Sequence, residues 1–82
     1  MEFYYTYRAR DNLRGLPALI QKRIAKKMRF YAAQKDPLKF AERLTDSREG
    51  EFRFRVGDYR IFFDVVKNKI IVLKIYNRKD AY

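Results

Sequence analysis

Residues 52–60 read Phe-Arg-Phe-Arg-Val-Gly-Asp-Tyr-Arg, so that aromatic and cationic side chains alternate up to a Gly-Asp pair and then resume. A period of two is typical of a β-strand with one buried face, and Gly-Asp is typical of a two-residue hairpin turn that places glycine first. This turn fixes the register of the hairpin. The predicted cross-strand pairs are Val56 with Tyr59, Arg55 with Arg60, Phe54 with Ile61, and Arg53 with Phe62.

The predicted register separates an apolar face from a cationic face. The apolar face carries Phe52, Phe54, Ile61 and Phe63, and the cationic face carries Arg53, Arg55 and Arg60. Like charges directly opposite each other on paired strands cost a few tenths to about 1 kcal/mol. The apposition of Arg55 and Arg60 therefore works against folding and indicates a bound anion. The alternative interpretation is that these arginines form only a solvated strand face of a basic protein.

The rest of the chain predicts an α+β fold with one domain over residues 1–82. The expected order is a strand at 2–7, helices at 8–14 and 17–34, a helical turn at 40–44, and strands at 51–56, 59–66 and 70–76. We expect a strand, two helices and a three-strand meander, with both N-terminal helices packed on one face of a small twisted sheet. A three-residue loop at 67–69 would place Ile71, Leu73 and Ile75 beside Val65, Phe63 and Ile61. That register adds Lys74, Tyr76 and Arg78 to the cationic face.

Charge and composition narrow the function. The chain has 82 residues, with 20 Lys and Arg against 10 Asp and Glu, and a formal net charge of +10. Such a charge points first to nucleic acid, then to an acidic protein, and last to an anionic membrane. Membrane is disfavoured because no apolar run has the length of a spanning helix, and a cytoplasmic location is expected. The chain has no Cys and no His, so neither a metal nor a cofactor is expected.

RNA cleavage is compatible with this limited set of side chains. The ribose 2′-hydroxyl is itself the nucleophile, so the protein has to orient it, neutralise charge on the phosphorane and supply a proton to the leaving oxygen. Arginine binds phosphate oxygens bidentately and stays charged at any relevant pH, and tyrosine stacks on bases or donates a proton. Three carboxylates beside turns are possible bases, and the residues alone favour none of them: Glu42, Glu49 and Glu51.

Several segments together resemble the RelE branch of the RelE/ParE toxin superfamily, almost from end to end. They are Asp36-Pro37 after the long helix, Leu44 before a turn-rich stretch, the hairpin at 52–61, and the ending Asn77-Arg78-Lys79-Asp80-Ala81-Tyr82. The resemblance implies the toxin of a type II toxin–antitoxin pair. Such a toxin is a metal-independent endoribonuclease that cuts mRNA in the ribosomal A site. Its expected partners are the ribosome and a small RelB-like antitoxin with an acidic or amphipathic segment.

The resemblance also implies roles for individual residues. Arg60 would hold the scissile phosphate, Arg78 would neutralise the phosphorane, and Tyr82 would orient or stack on a base or take part in proton transfer. Lys74 and Tyr76 widen the cationic face as RNA contacts. Arg53 and Arg55 stand where members of the family carry lysines, and an arginine is a poor base because its pKa exceeds about 12. Glu42, two residues before Leu44, stands where some relatives place a catalytic glutamate.

Two other functions stay open at this level. One is a ParE-like toxin that inhibits DNA gyrase, and the other is a basic RNA-binding module without catalysis. The set of arginines with a terminal tyrosine favours cleavage, because ParE-like members usually lack the full set.

Overall fold

Five strands and two helices make up the fold in the part of the chain that the structure describes, which is residues 1–46 and 48–80 of a computed structural model. The strands are β1 (Glu2–Tyr5), β2 (Glu42–Arg43), β3 (Phe52–Val56), β4 (Tyr59–Val66) and β5 (Lys69–Asn77), and the helices are α1 (Tyr7–Arg14) and α2 (Ala18–Ala33). The strand order in the sheet is β1-β5-β4-β3-β2, with β1 parallel to β5 and every other pair antiparallel. The predicted α+β class and element order are confirmed, and β2 is an additional short strand.

Thr6 decides where the first strand ends and α1 begins. Its hydroxyl oxygen accepts a hydrogen bond of 3.1 Å from the amide of Ala9, which satisfies one of the free donors at the helix start. Tyr7 is therefore the first residue of α1, and the strand predicted over 2–7 stops at Tyr5.

The amphipathic pattern of α2 is confirmed. Ile24, Met28 and Tyr31 are buried against the sheet, and the helix ends at Ala33, close to the predicted limit.

The segment after α2 differs from the prediction. Asp36 accepts a hydrogen bond of 3.2 Å from the amide of Leu38 and so caps a short 3-10 helix at Pro37–Phe40. The helical turn predicted at 40–44 is therefore wrong, because the turn begins at the Asp-Pro pair and is complete at Phe40. Glu42–Arg43 pairs instead with β3, opposite Arg53 and Phe52.

The hairpin of β3 and β4 has the predicted register. All of the predicted pairs are present, including Arg55 opposite Arg60. Gly57 has a φ of +59°, a left-handed conformation that glycine adopts without a steric penalty. The apolar face packs under the helices: Phe54 is fully buried, with its ring centroid 4.1 Å from that of Tyr31 and 4.5 Å from that of Phe63.

The register of β5 was only partly predicted. The loop before it has two residues, Lys67 and Asn68, with φ values of +47° and +65°, so that Val65 pairs with Ile70 rather than with Ile71. Positive φ at both loop residues is typical of the type I′ turn. Ile70 and Val72 are consequently the core residues of this half of the strand, in place of Ile71 and Leu73.

A β-bulge restores the predicted register in the second half of β5. Phe63 pairs with Val72 while its neighbour Phe62 pairs with Lys74, so Leu73 is the extra residue. Beyond the bulge, Ile75 lies opposite Ile61 as predicted. The shift by one residue turns the Lys74 side chain away from the helices.

Helix α1 covers the edge of β5 beyond the end of β1. The Thr6 hydroxyl donates to the carbonyl of Leu73 at 3.0 Å, and the Asn12 side-chain oxygen accepts from the amide of Ile75 at 3.0 Å. These bonds satisfy backbone groups of β5 that lie beyond the end of β1 and therefore have no strand partner on that side. They also bring the start of α1 to the rim of the sheet face that lies away from the helices.

None of the helices in residues 1–46 and 48–80 is both long and apolar enough to cross a membrane.

Candidate anion-binding face

Two rows of side chains cross the sheet on the side away from the helices. In the first row, Arg60 on β4 lies between Arg55 on β3 and Tyr76 on β5. The second row is Glu42, Arg53, Phe62 and Lys74, one from each of β2 to β5. We call these two rows the cationic face. The structure thus brings together Arg53, Arg55, Arg60, Lys74 and Tyr76, which the sequence singled out.

Arg60 lies at the centre of the cationic face and is only 8% exposed. Its Nη1 donates to the carbonyls of Gly57 at 3.0 Å and Tyr59 at 3.2 Å, which fixes the guanidinium beside the hairpin turn. Burial lowers the pKa of Arg60, the positive charges of Arg55, Arg53 and Arg78 lower it further, and the charge of Glu42 offsets part of this. Among the side chains of residues 1–46 and 48–79, no carboxylate lies within ion-pair distance of Arg60.

Glu42 neutralises the outer arginines. Its Oε2 lies 3.3 Å from Nη2 of Arg53 and 3.2 Å from Nη2 of Arg55, and its Oε1 contacts Nε of Arg55. Burial raises the pKa of Glu42, but hydrogen bonds and charge from Arg53 and then Arg55 outweigh burial and leave the pKa below its usual value. The structure therefore places Glu42 at the site, in a setting that makes it a weak proton acceptor. Nε of Arg53 is buried and has no hydrogen-bond partner in the described part of the chain.

Lys74 lies at the opposite end of the second row and is buried to an unusual degree for a lysine, with 7% exposed. Its Nζ contacts the Glu49 carboxylate and lies 5.0 Å from the ring centroid of Phe62 and 5.1 Å from that of Tyr76. Burial lowers the pKa of Lys74, and the charge of Arg8 lowers it further. Lys74 is therefore a desolvated cation in contact with one carboxylate and two aromatic rings.

Arg8 is a member of this site that the sequence did not indicate. It begins in α1, donates from Nη2 to the Tyr76 hydroxyl, and places its guanidinium carbon 5.7 Å from the Tyr76 ring centroid. No motif marks this arginine, because it reaches the site only through the position of α1 along β5. Together with Lys74, Tyr76 and residues 44–46, 48 and 49, it lines a groove of about 700 Å³.

Arg78 follows β5 in a short 3-10 helix, Arg78–Asp80, and its side chain is exposed. Its backbone amide donates to the carbonyl of Asp58 at 2.6 Å, which ties the end of β5 to the hairpin turn beside Arg60. The structure thus brings Arg78 to the same end of the face as Arg60. Tyr82, the other residue that the resemblance singled out near the C-terminus, lies outside the described residues.

Chemically, the face offers several cations in a fixed arrangement, with aromatic side chains between them. Within the ranges that the structure describes, no group of three or more Asp or Glu side chains is placed to hold a metal ion. The fold and this face define a small α+β domain with a cationic surface on the side of its sheet away from the helices.

Comparison with known proteins gives the family. The family model for the ParE toxin of type II toxin–antitoxin systems, parDE, matches residues 3–82. The chain belongs to this family and is a toxin of the RelE/ParE superfamily, which confirms the predicted superfamily. No curated protein matches the chain.

Solved structures with the same fold come from toxin–antitoxin complexes. The RelBE2 complex of Mycobacterium tuberculosis matches with a TM-score of 0.76 and 24% identity over 94% of this chain and 96% of that one. The RelB–RelE complex of Methanococcus jannaschii matches with a TM-score of 0.76 and 22% identity, over 96% and 94%. The RelE–RelB complex of Pyrococcus horikoshii matches with a TM-score of 0.72 and 23% identity, over 94% and 93%. These similarities support the fold.

Proposed function

We propose that this toxin is a metal-independent endoribonuclease that cuts mRNA in the ribosomal A site. The observation that carries the proposal is the crowding of positive charge on buried Arg60, whose pKa is lowered by burial and then by Arg55, Arg53 and Arg78. A buried charge without an acidic partner is costly for a fold. A phosphate held between Arg60 and Arg78 would supply the missing negative charge.

The proposed reaction is an internal transfer of the phosphate. The 2′-oxygen of the ribose attacks the adjacent phosphorus, the bond to the 5′-oxygen of the next nucleotide breaks, and the products carry a 2′,3′-cyclic phosphate and a 5′-hydroxyl. Arg60 and Arg78 neutralise the charge that develops on the phosphorane oxygens. Arg53 and Arg55 hold the flanking backbone, Lys74 and Tyr76 continue this RNA contact, and Tyr82 orients a base or donates the proton to the leaving oxygen.

Proton transfer contributes less than charge neutralisation in this proposal. Glu42 is the carboxylate that touches the arginines, and it accepts the 2′-hydroxyl proton. Its lowered pKa makes this transfer inefficient, because a good general base titrates near the working pH. Orientation by the ribosome and by the arginines therefore carries most of the rate.

The same surface suggests the partners. With a net charge of +10, the chain attracts polyanions over long distances, and the ribosome is the largest of these in the cytoplasm. The solved structures of the same fold are complexes with RelB antitoxins. We infer that a small RelB-like antitoxin, with an acidic or amphipathic segment, covers the basic surface of this toxin.

The test is cleavage of mRNA on purified ribosomes with an open A site, followed by mapping of the new 5′ ends. Replacing Arg78 with alanine should lower the rate by about 10²- to 10³-fold, as expected for the loss of one group that stabilises transition-state charge. Arg29→Ala is the matched control, because it removes the same charge from the exposed surface of α2. Intact mRNA in the presence of folded wild-type protein would refute the proposal.

Inhibition of DNA gyrase is the second candidate function. It is favoured by the matching family model, which describes a ParE toxin, and by the carboxylate contacts that occupy Arg53, Arg55 and Lys74. A supercoiling assay with purified gyrase decides between the two. Inhibition that persists in the Arg78→Ala variant, with no cleavage of mRNA, would establish gyrase as the target. If that variant keeps both RNA binding and growth arrest, the result would point instead to a non-catalytic RNA-binding module.

A further inference from the structure

Glu49 occupies the cationic end of the groove beside Lys74. Its carboxylate contacts Nζ of Lys74, and half of the Glu49 side chain is still exposed to solvent, against 8% of the Lys74 side chain. The ammonium group is thus the buried partner and the carboxylate is the accessible one. Glu49 belongs to no helix or strand and lies in the irregular segment before β3.

Two cations face the end of the groove that Glu49 occupies. Arg8 and Lys74 both lie close to the Tyr76 ring, at 5.7 Å and 5.1 Å from its centroid. The ring attracts both cations, and the Tyr76 hydroxyl accepts a hydrogen bond from Arg8. Two like charges therefore lie close together beside Tyr76, an arrangement that favours an anion with several oxygen atoms over the Glu49 carboxylate that Lys74 contacts.

We propose that this groove is a second phosphate subsite of the RNA-binding face, and that Glu49 occupies it as an exchangeable carboxylate until an RNA phosphate displaces it. The ligand class is the phosphodiester of a single-stranded RNA. This inference rests on the proposed function for the identity of the strand. The residues that form the subsite are Arg8, Lys74 and Tyr76.

The position of the subsite supports RNA rather than an acidic peptide. Lys74 lies on the strand next to that of Arg60 and is displaced by two residues along it. Strand geometry then places the Cα atoms of Arg60 and Lys74 about 8 Å apart. A cationic track at this spacing suits successive phosphates of an extended strand. Arg53 continues the track on the other side of Phe62. The groove volume of about 700 Å³ lies within the range of roughly 300–1,000 Å³ that is usual for ligand sites.

Binding of a short fluorescein-labelled RNA with 2′-O-methyl riboses, which cannot be cleaved, tests the proposal without ribosomes. Glu49→Gln should tighten binding by about three- to fivefold, the upper part of the range for exposed ion pairs, because the Lys74 partner is buried. Glu2→Gln is the matched control, since it removes the same charge from β1, where Glu2 accepts from the Tyr4 hydroxyl. Because exposed charges at a distance are screened by salt, this control should change the affinity by less than about 1.5-fold.

A second pair of variants locates the effect. Lys74→Met should weaken RNA binding and reduce the slope of log affinity against log salt by about 0.7, the value for one lost phosphate contact on a single strand. In this background Glu49→Gln should have no further effect. The proposal is wrong if Glu49→Gln tightens RNA binding no more than Glu2→Gln does. It is also wrong if the tightening persists in the Lys74→Met background. The first comparison does not depend on whether the Lys74→Met variant folds.

An acidic peptide in the same assay separates the two kinds of ligand. If Glu49→Gln tightens binding of a polyglutamate peptide and leaves RNA binding unchanged, the groove serves a protein partner and the phosphate assignment is wrong. Ribosomal cleavage is measured separately. If the variants change RNA binding as expected but A-site mRNA stays intact, the subsite stands and the proposed function is refuted. If A-site mRNA is cleaved but RNA binding does not change as expected, only the subsite is refuted.

Discussion

Replacing Arg60 with methionine should stabilise this protein while removing a residue of its proposed site. Arg60 is 8% exposed, lies directly opposite Arg55, and has a pKa that burial and then neighbouring arginines lower. For a base, a folded-state pKa below the unfolded value means that the charged form is disfavoured by folding. The cost is complete at every pH below the folded pKa, begins to fall as the pH rises through that value, and is gone only above the unfolded pKa.

The magnitude follows from the contacts. Removing one of two like charges on paired strands gains a few tenths to about 1 kcal/mol, and relief of the burial of one charge adds several kcal/mol. The losses are two hydrogen bonds from a charged donor to the carbonyls of Gly57 and Tyr59, about 1.5–3 kcal/mol each before water replaces them. Because Gly57 lies in an exposed turn, water can replace much of this loss. We expect a net gain of about 1 kcal/mol, which raises the melting temperature by roughly 4–8 °C in a domain of this size.

Thermal and urea unfolding, followed by circular dichroism at neutral pH, measure this gain. Arg55→Met is the control, because it relieves the same cross-strand repulsion but also breaks the exposed ion pair with Glu42, worth at most about 1 kcal/mol. Its melting temperature should change by less than about 3 °C. A lower melting temperature for Arg60→Met, or an equal rise for Arg55→Met, would refute the view that the buried charge of Arg60 lowers the stability of the fold.

Three further predictions concern the scaffold and the rim of the site. Phe54→Ala removes a fully buried ring and should cost about 3–5 kcal/mol, which urea unfolding would detect as a large fall in the midpoint; a small fall would contradict the packing. Asn12→Ala leaves the amide of Ile75 without its partner and should cost about 1–3 kcal/mol, with faster hydrogen exchange at that amide. Glu42 has a lowered pKa, so its contribution to stability is complete above the usual value of 4.5 and is lost as the pH falls through the folded value. Acid titration should show a smaller loss of stability below pH 4.5 for Glu42→Gln than for the wild-type protein.

The hairpin was predictable because two local signals agree. Alternation with a period of two assigns each side chain to a face, and Gly57 fixes the turn that sets the register. A slip by one residue would expose Phe54 and bury Arg55, so competing registers are strongly disfavoured. The opposition of Arg55 and Arg60, and hence the cationic face itself, follows from these local rules.

The register of β5 was harder to predict because its sequence is apolar on both faces. Residues 70–73 read Ile-Ile-Val-Leu, so alternation does not distinguish Ile70 and Val72 from their neighbours. The length of the preceding loop then decides the register, and neither Lys67 nor Asn68 is a glycine that would mark a two-residue turn. The bulge at Leu73 also has no local signal in the sequence, and the backbone groups beside it bond to the side chains of Thr6 and Asn12, which are far away in the chain.

Site residues that depend on tertiary contacts were likewise not predictable. Arg8 reaches Tyr76 only because α1 lies along the edge of β5, and Glu49 reaches Lys74 only through the course of an irregular segment. Glu42 was one of three candidate carboxylates, and only the family resemblance singled it out, because a strand of two residues is too short to show a pattern. The sequence thus predicts the cations on the central strands, whereas the pairing of carboxylates with these cations depends on the tertiary fold.

These carboxylates are distributed unevenly over the cationic face. Glu42 pairs with Arg53 and Arg55 at one side, and Glu49 pairs with Lys74 at the other. At the end of the face beside the hairpin turn, neither Arg60 nor Arg78 has a carboxylate within ion-pair distance among the side chains of residues 1–46 and 48–79. On the proposed function, a polyanion therefore gains most by placing one phosphate between Arg60 and Arg78, and reaches the other cations only by displacing a carboxylate. Because each displacement offsets part of the attraction, the arrangement would favour one phosphate over its neighbours, as the proposed cleavage at a defined position requires.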